Sequence, residues 1–330
     1  MSTALLRVRD LTVVFGARQA LRGIDFELFC GETLGLVGES GSGKSTLARA
    51  ILRLVRPARG RVEFLQHNLL ACTPAQMHEV RRDLQIVFQD PLASLNPRMS
   101  VGNAIAEPLI IFEPALGALA RRQRVGAMLE RVGLAAAMAD RYPHELSGGQ
   151  CQRIGIARAM ILNPKLLICD EPVSALDVSI QGQIVNLLLD LQRDADMAML
   201  FISHNLAIVR HLSHRVLVIY GGRIVEVAPS VTLFDCPLHP YTQVLLAAIP
   251  AVPGSERAHT AQRQAPAAAA GGLPDALSEA DIGCAFRHRC RFAVAVCANS
   301  VPPLTQVAPG HWAACHRASE WRSNAAARSL

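Results

Sequence analysis

The sequence predicts an α/β fold: a core of short buried strands and helices, an antiparallel β subdomain, a helical subdomain and a small cysteine-rich C-terminal tail. Three observations predict it. Residues 31–38, 166–172 and 198–204 (GETLGLVG, LLICDEP and AMLFISH) are short apolar runs ending in glycine or polar residues, as buried parallel strands do. The stretches 47–55 and 180–193 are helical in pattern, the second strongly amphipathic. Four of the nine cysteines fall between Cys284 and Cys315, after a stretch rich in Ala, Pro and Gly.

The remaining elements follow in order. Residues 5–30 alternate apolar and polar side chains, the pattern of antiparallel strands at an edge. RVEFL (61–65) and LQIVF (84–88) are further strands. From about Pro91 to Pro143 the pattern is helical and rich in Ala and Arg. VLVIYGGRIVEVA (216–228) is a hairpin turned by Gly221 and Gly222. From about Pro250 the chain loses periodicity and reads as a linker. There is no internal repeat. The expected boundaries are a main domain over 1–250, with its helical subdomain at about 91–157, a linker over 251–280 and the Cys-rich region over 281–330.

Hydrophobic residues make up 51% and charged residues 18%, which excludes a fully disordered chain. No stretch reaches the roughly 18 unbroken apolar residues of a membrane-spanning helix. The start, MSTALLRVRD, carries charges where a signal peptide has its apolar segment, so a cytoplasmic protein is expected. Of the net charge of +6, most lies in residues 281–330, where six arginines meet two acids. A basic tail suits nucleic acid or lipid headgroups, or is simply solvated. Only two of the 33 basic residues are lysines, Lys44 and Lys165.

One of those lysines completes a motif. Gly38-Glu39-Ser40-Gly41-Ser42-Gly43-Lys44-Ser45-Thr46 fits G-x-x-x-x-G-K-[ST] between an expected strand and an expected helix. Such a loop curls backbone N–H groups around phosphate oxygens, and the helix presents its positive end to the anion. Lys44 is placed to reach the β- and γ-phosphates of ATP, and Ser45 to ligate Mg²⁺. Asp170 and Glu171 end the strand LLICDEP, where ligands of α/β sheets gather. Asp170 suits Mg²⁺, directly or through water. Glu171 suits a proton acceptor for an attacking water. Leu146-Ser147-Gly148-Gly149-Gln150 opens a second helix that Ser147 can cap, with glycines that let a phosphate approach. One chain needs only one phosphate loop. Two chains facing head to tail would use both helix starts.

This last string resembles the signature of ABC-type ATPases, and the rest of the chain is similar in order. Gln89 stands as the Q-loop glutamine and a Mg²⁺ ligand. Ser174-Ala175-Leu176-Asp177 resembles the D-loop. His204 resembles the switch histidine that contacts the γ-phosphate. Phe15 stands where the family places an aromatic ring against adenine. Two residues depart from the family pattern: Cys151 replaces a polar residue, and Asn205 replaces Asp.

QDPLASLNPRMSV (89–101), RYPHELSGGQ, DEPVSALDVSIQ and HPYTQVLLAAIP are similar to the dipeptide/oligopeptide importer branch, and within it to the F-type ATPase subunits of dipeptide permeases. The resemblance implies an ATPase coupled to uptake of di- and oligopeptides. Nickel, opine or glutathione would be related cargoes. The implied partners are a second ATPase subunit, a paralogue or a second copy, two membrane permease subunits and, indirectly, an external binding protein. Nucleic acid is not among them. The implied location is the cytoplasmic face of the inner membrane, held peripherally. Asp90–Arg98, with Leu92 and Leu95, would reach the permeases. A soluble ABC protein acting on nucleic acid or ribosomes usually has two cassettes or long coiled insertions, and an exporter is often fused to a membrane domain. Neither feature is present in this sequence.

The tail carries Cys284, Cys290, Cys297 and Cys315, with no pair as close as the usual zinc spacing. Four thiolates at wider spacing suit a 4Fe–4S cluster. Some peptide-importer ATPases share this pattern and hold such a cluster. Zinc, or no metal at all, is the alternative. Arg287, Arg289 and Arg291 would offset the cluster charge, and His311 and His316 are substitute ligands. About 50 residues have too little core to fold unaided, so the cluster is expected to staple the tail, remote from ATP hydrolysis.

Overall fold

In a computed structural model the described residues are 3–248 and 282–320, so the linker expected over 251–280 lies outside them. The strands are β1 (Ala4–Phe15), β2 (Arg18–Phe29), β3 (Thr33–Val37), β4 (Arg59–Phe64), β5 (His67–Asn68), β6 (Leu84–Val87), β7 (Leu166–Asp170), β8 (Ala198–Ile202), β9 (Arg215–Tyr220), β10 (Arg223–Pro229), β11 (Thr305–Ala308) and β12 (His311–Ala313). The helices are α1 (Lys44–Ile51), α2 (Pro74–Asp83), α3 (Val101–Phe112), α4 (Ala118–Arg131), α5 (Gly148–Met160), α6 (Val178–Ala195), α7 (Leu206–Leu212), α8 (Ser230–Asp235), α9 (Pro240–Ala247) and α10 (Val296–Asn299). The described residues divide into two compact units. The first takes those within Met1–Leu6, Glu27–Thr33 and Glu63–Ser203, and the second those within Arg7–Phe26, Leu34–Val62 and His204–Leu330.

In the first unit, β6, β7 and β8 run parallel, with Val87 opposite Cys169 and Asp170 opposite Ile202. Every residue of β7 and β8 is buried. That is why these strands read as unbroken apolar runs rather than alternating ones. Each fully buried Leu, Ile or Phe contributes about 1.5–3 kcal/mol relative to exposure. α6 turns Ile184, Val185, Leu188, Leu191 and Gln192 inward, a stripe at helical spacing. Gln192 is the polar member, and its Nε2 donates to the carbonyls of Gly31 (2.8 Å) and Met197 (3.1 Å). The helical part expected from about 91 is α3, α4 and α5, with α3 packed on both others.

In the second unit, β3 and β9 are parallel, Leu36 opposite Leu217. β9 and β10 form the expected hairpin, Tyr220 opposite Arg223. The tail then continues this sheet. β12 pairs antiparallel with β10 (Glu226 opposite Ala313, Val227 opposite Trp312), and β11 pairs with β12. Leu238, Ala313 and Ala318 form an apolar seam with Val307 and Cys315 packed on it.

A buried carboxylate knots these pieces together. Glu226 is fully buried. Its Oε1 accepts from the Leu238 N–H (2.7 Å) and pairs with His311 Nε2 (2.7 Å), and its Oε2 accepts from the His239 N–H (2.9 Å). The tail therefore has backbone pairing, an apolar seam and a satisfied polar knot.

His239 caps α9: its Nδ1 accepts from the Tyr241 N–H at 3.0 Å. Burial pushes its pKa down to about 4, against a weaker upward pull from Glu226. The depressed value means that the unfolded chain binds this proton before the folded one. The contribution is complete above pH about 6.5 and is lost as pH falls toward 4, a swing of about 3 kcal/mol. Urea midpoints measured from pH 7 to pH 4 should therefore fall less steeply for His239→Asn than for the parent. Equal slopes would show that His239 titrates normally.

Candidate active site

The phosphate loop lies wholly in the second unit, between β3 and α1. Gly38 and Gly43 are required by close approach. A Cβ on Gly38 would lie 2.3 Å from the carbonyl oxygen of Ile219. Gly43, at φ 109°, would place one 2.8 Å from that of Ala20. No side chain caps α1 and no acid stands in its first turn, an arrangement that suits an anion at the helix start. Lys44 is buried, and its Nζ donates to the carbonyls of Gly38 and Glu39, each at 2.9 Å. Ser42 Oγ is buried with no hydrogen-bond partner, an orphan that a phosphate oxygen would satisfy. Ser40 and Gly41 form the exposed crest, and Ser45 and Thr46 are half-buried in the first turn of α1.

The first unit brings Gln89 and Glu171 together. Gln89 Nε2 donates to Glu171 Oε2 at 3.2 Å. Glu171 sits at φ 49°, in the left-handed region, and its N–H donates to the Ile202 carbonyl at 3.0 Å. That backbone costs about 1–3 kcal/mol and persists only where the surroundings fix it. Ser174 Oγ, bonded to the Glu171 carbonyl at 3.1 Å, is part of that fixing. Asp170 is buried as the last residue of β7.

Ser147 caps α5 as the sequence suggests. Its Oγ accepts from the Gln150 N–H (3.3 Å) while Gln150 Oε1 accepts from the Ser147 N–H (2.9 Å), a reciprocal capping box. Ser147 and Gly148 are exposed. Asp177, just before α6, is exposed and caps nothing with its side chain. In the second unit, Phe15 ends β1 with half its surface exposed, and His204 is exposed two residues past β8.

Both departures have physical accounts. Asn205 caps α7, accepting from the N–H groups of Ala207 (3.1 Å) and Ile208 (3.4 Å). Cys151 is fully buried, so a small apolar thiol fits where a polar side chain would be stranded. Of the two leucines expected to reach the permeases, Leu92 is 52% exposed but Leu95 is only 3% exposed, which makes Leu95 a packing residue. That segment is braced by Arg158, whose Nη1 donates to the Ser94 carbonyl at 2.7 Å.

The iron–sulfur expectation is corrected by the structure. Cys284, Cys290, Cys297 and Cys315 line one small cavity with Phe286, Phe292 and His316. Yet among the described residues no group of three or more His, Cys, Asp or Glu is placed to hold a metal ion. Burial, reinforced by the neighbouring sulfurs, pushes the Cys284 thiol up to about 11, and burial raises Cys290 too. His311 is engaged with Glu226, and His316 Nε2 with the Ser300 carbonyl at 3.0 Å.

Arg289 is also placed differently than expected. Its two Nη atoms bond both carboxylate oxygens of Glu39, each at 2.8 Å. The sequence shows Arg289 only as one basic residue among several, and Glu39 only as a variable position of the loop. Nothing in their spacing signals the pair.

The comparisons with known proteins agree with this geometry. A family model described as ABC transporter matches residues 21–174, and one described as the oligopeptide/dipeptide transporter C-terminal region matches 225–297. The oligopeptide transport ATP-binding protein OppF of Haemophilus influenzae is 49% identical over 298 residues, covering 90% of this chain and 88% of the relative. OppF of Escherichia coli is 49% identical over 314 residues, covering 91% and 92%. Among solved structures, a dimeric ATP-binding cassette in a post-hydrolysis state with ADP and Pi superposes with a TM-score of 0.63 at 27% identity, covering 68% of this chain and 98% of that one. CbiO1 from Clostridium perfringens, part of an ABC transporter complex, gives 0.64 at 29% identity, covering 70% and 90%. The nucleotide loop, the signature helix start and these likenesses over nine-tenths of its length place this chain in the ABC transporter ATP-binding family, in its oligopeptide/dipeptide branch.

Proposed function

We propose that this chain is the ATP-hydrolysing subunit of an ABC importer for di- and oligopeptides, held peripherally at the cytoplasmic face of the inner membrane. It would work with a second ATPase subunit, most simply a paralogue, two membrane permeases and an external peptide-binding protein. Among the described residues no helix is long and apolar enough to cross a membrane, so permease contact supplies the attachment.

The loop amides of Gly38 to Thr46 and Lys44 hold the phosphates. Phe15 stacks on adenine, and His204 contacts the γ-phosphate. Ser45, Asp170 and Gln89 are the residues that would hold Mg²⁺. When bound, that ion neutralises charge on the phosphates. Glu171 takes the proton from the attacking water. Ser147, Gly148, Gly149, Gln150 and Asp177 serve the nucleotide of the opposing subunit. The single observation that carries the catalytic assignment is the 3.2 Å bond from Gln89 to Glu171. A carboxylate fixed by an amide donor, on a backbone held off its relaxed conformation, is oriented before any water arrives.

Three outcomes test this. Glu171→Gln should keep ATP binding but slow hydrolysis by about 10²–10⁴-fold, the usual share of a general base. In light scattering the same variant should accumulate as a two-subunit species with ATP. Normal turnover would move the base elsewhere. Lys44→Ala should lose ATP binding in calorimetry, and retained affinity would remove the loop from the nucleotide site. Leu92→Ala should lower peptide uptake at least several-fold while the detergent-solubilised ATPase rate stays near the parent. Unchanged uptake would exclude Leu92 from the permease contact.

A further inference from the structure

We infer that Arg289 is a positioning residue for the phosphate loop, and that the cysteine-rich tail is thereby energetically coupled to nucleotide binding. The inference rests on the reading of residues 38–46 as the nucleotide loop, and it assigns the tail a part in that loop's work.

The observations converge on Glu39. This residue lies inside the loop, where an acidic side chain is an obstacle, because the ligand is a polyanion. Its carboxylate is gripped by Arg289 through two parallel bonds of 2.8 Å, with the two side chains 18% and 28% exposed. Bidentate guanidinium–carboxylate pairs fix direction as well as charge. The bond to Glu39 raises the Arg289 pKa further, so the guanidinium is permanently charged. The Glu39 N–H donates to Tyr241 Oη at 2.8 Å. The Glu39 carbonyl accepts from Lys44 Nζ at 2.9 Å. All three polar groups of this residue are thus held, one of them by the tail.

The grip is itself seated. Arg289 lies 5.9 Å over the Tyr220 ring and 5.7 Å over that of Phe286. Phe286 meets Tyr220 edge-on at 5.3 Å and Tyr241 at 5.5 Å. Phe286 and Arg289 belong to the tail, and Tyr220 ends β9. The tail thus enters the loop as a charged clamp on an aromatic seat.

Two consequences follow. Arg289 cancels a negative charge at an anion site, and it holds the loop in shape before the nucleotide arrives. Without Arg289, the Glu39 carboxylate would face the phosphates unpaired. Coupling of this kind is reciprocal: what the tail adds to ATP affinity, ATP returns as tail order.

The experiment measures Mg-ATP affinity by calorimetry on the full-length chain, with urea midpoints recorded for each variant. Arg289→Ala should weaken Mg-ATP binding about tenfold, the scale of one lost charged pairing. The double variant Arg289→Ala with Glu39→Gln should recover most of that loss, because the offending charge is gone. A tail that acted only as a scaffold would not be rescued by removing a carboxylate from the loop. Saturating Mg-ATP should also slow protease cleavage of the tail in the parent chain, and by less in Arg289→Ala. Lys44→Ala is the control for the underlying reading. If Lys44→Ala abolishes binding while Arg289→Ala leaves affinity unchanged at an unchanged urea midpoint, the positioning role is overturned and the loop assignment stands. If Lys44→Ala still binds Mg-ATP, the loop assignment itself fails. A loss in Arg289→Ala that Glu39→Gln does not rescue would also overturn the proposal.

Discussion

A loop that binds phosphate through backbone amides has to be shaped before the anion arrives, because amides ordered only on binding lose much of their interaction to entropy. The second unit is organised around that constraint. Lys44 folds back on the carbonyls of Gly38 and Glu39. The Gly222 N–H, at the turn of the β9–β10 hairpin, donates to the Ser42 carbonyl at 3.0 Å. Tyr241 holds the Glu39 amide from α9, and the tail holds its carboxylate. Elements far apart in sequence thus fasten one loop, and β3 and β9 feed it from a buried parallel pair.

The first unit meets a different requirement with the same economy. A carboxylate proposed as proton acceptor has to point in one direction, and the backbone geometry of Glu171 fixes its direction. Its left-handed φ would relax in a loose loop. Here the Ile202 carbonyl, at the end of β8, and the Ser174 hydroxyl hold it. The strain is tolerated because β7 and β8 are buried along their whole length, so the strand ends that carry Asp170 and Glu171 do not shift.

The motif residues were legible because their chemistry demands fixed residue types at fixed spacing, whatever surrounds them. The phosphate loop, the capped signature helix and the hairpin turned by Gly221 and Gly222 all carry such local signals. Boundaries were less legible. The first helix begins at Lys44, three residues before its apolar pattern, because its opening turn is specified by an anion site and not by a hydrophobic face. Leu92 and Leu95 look alike in sequence, yet tertiary packing buries one and exposes the other. The tail was least legible. β11 and β12 have four and three residues, too short for any periodicity to register. The strand that β12 pairs with, β10, lies more than eighty positions upstream, and the Arg289–Glu39 pair spans 250 positions.

The four tail cysteines show why spacing alone misled. A ligand set and a set of small buried side chains leave the same trace in sequence, since both place cysteine where little else fits. What separates them is what else holds the region together. A tail with no other means of folding would need a cross-link. This one has Glu226 accepting from two backbone amides and facing His311, an edge strand completing the sheet, and Phe286 seated between two tyrosines. Of the four, Cys297 is buried and the other three are partly buried, and burial raises the Cys284 and Cys290 thiols. The same contacts explain why the tail is not a detachable appendage. β12 completes β10, β10 is the other arm of β9, and β9 lies against β3, which leads into the phosphate loop. The tail is thus continuous with the strand that leads into the loop, as well as bonded to the loop through Arg289.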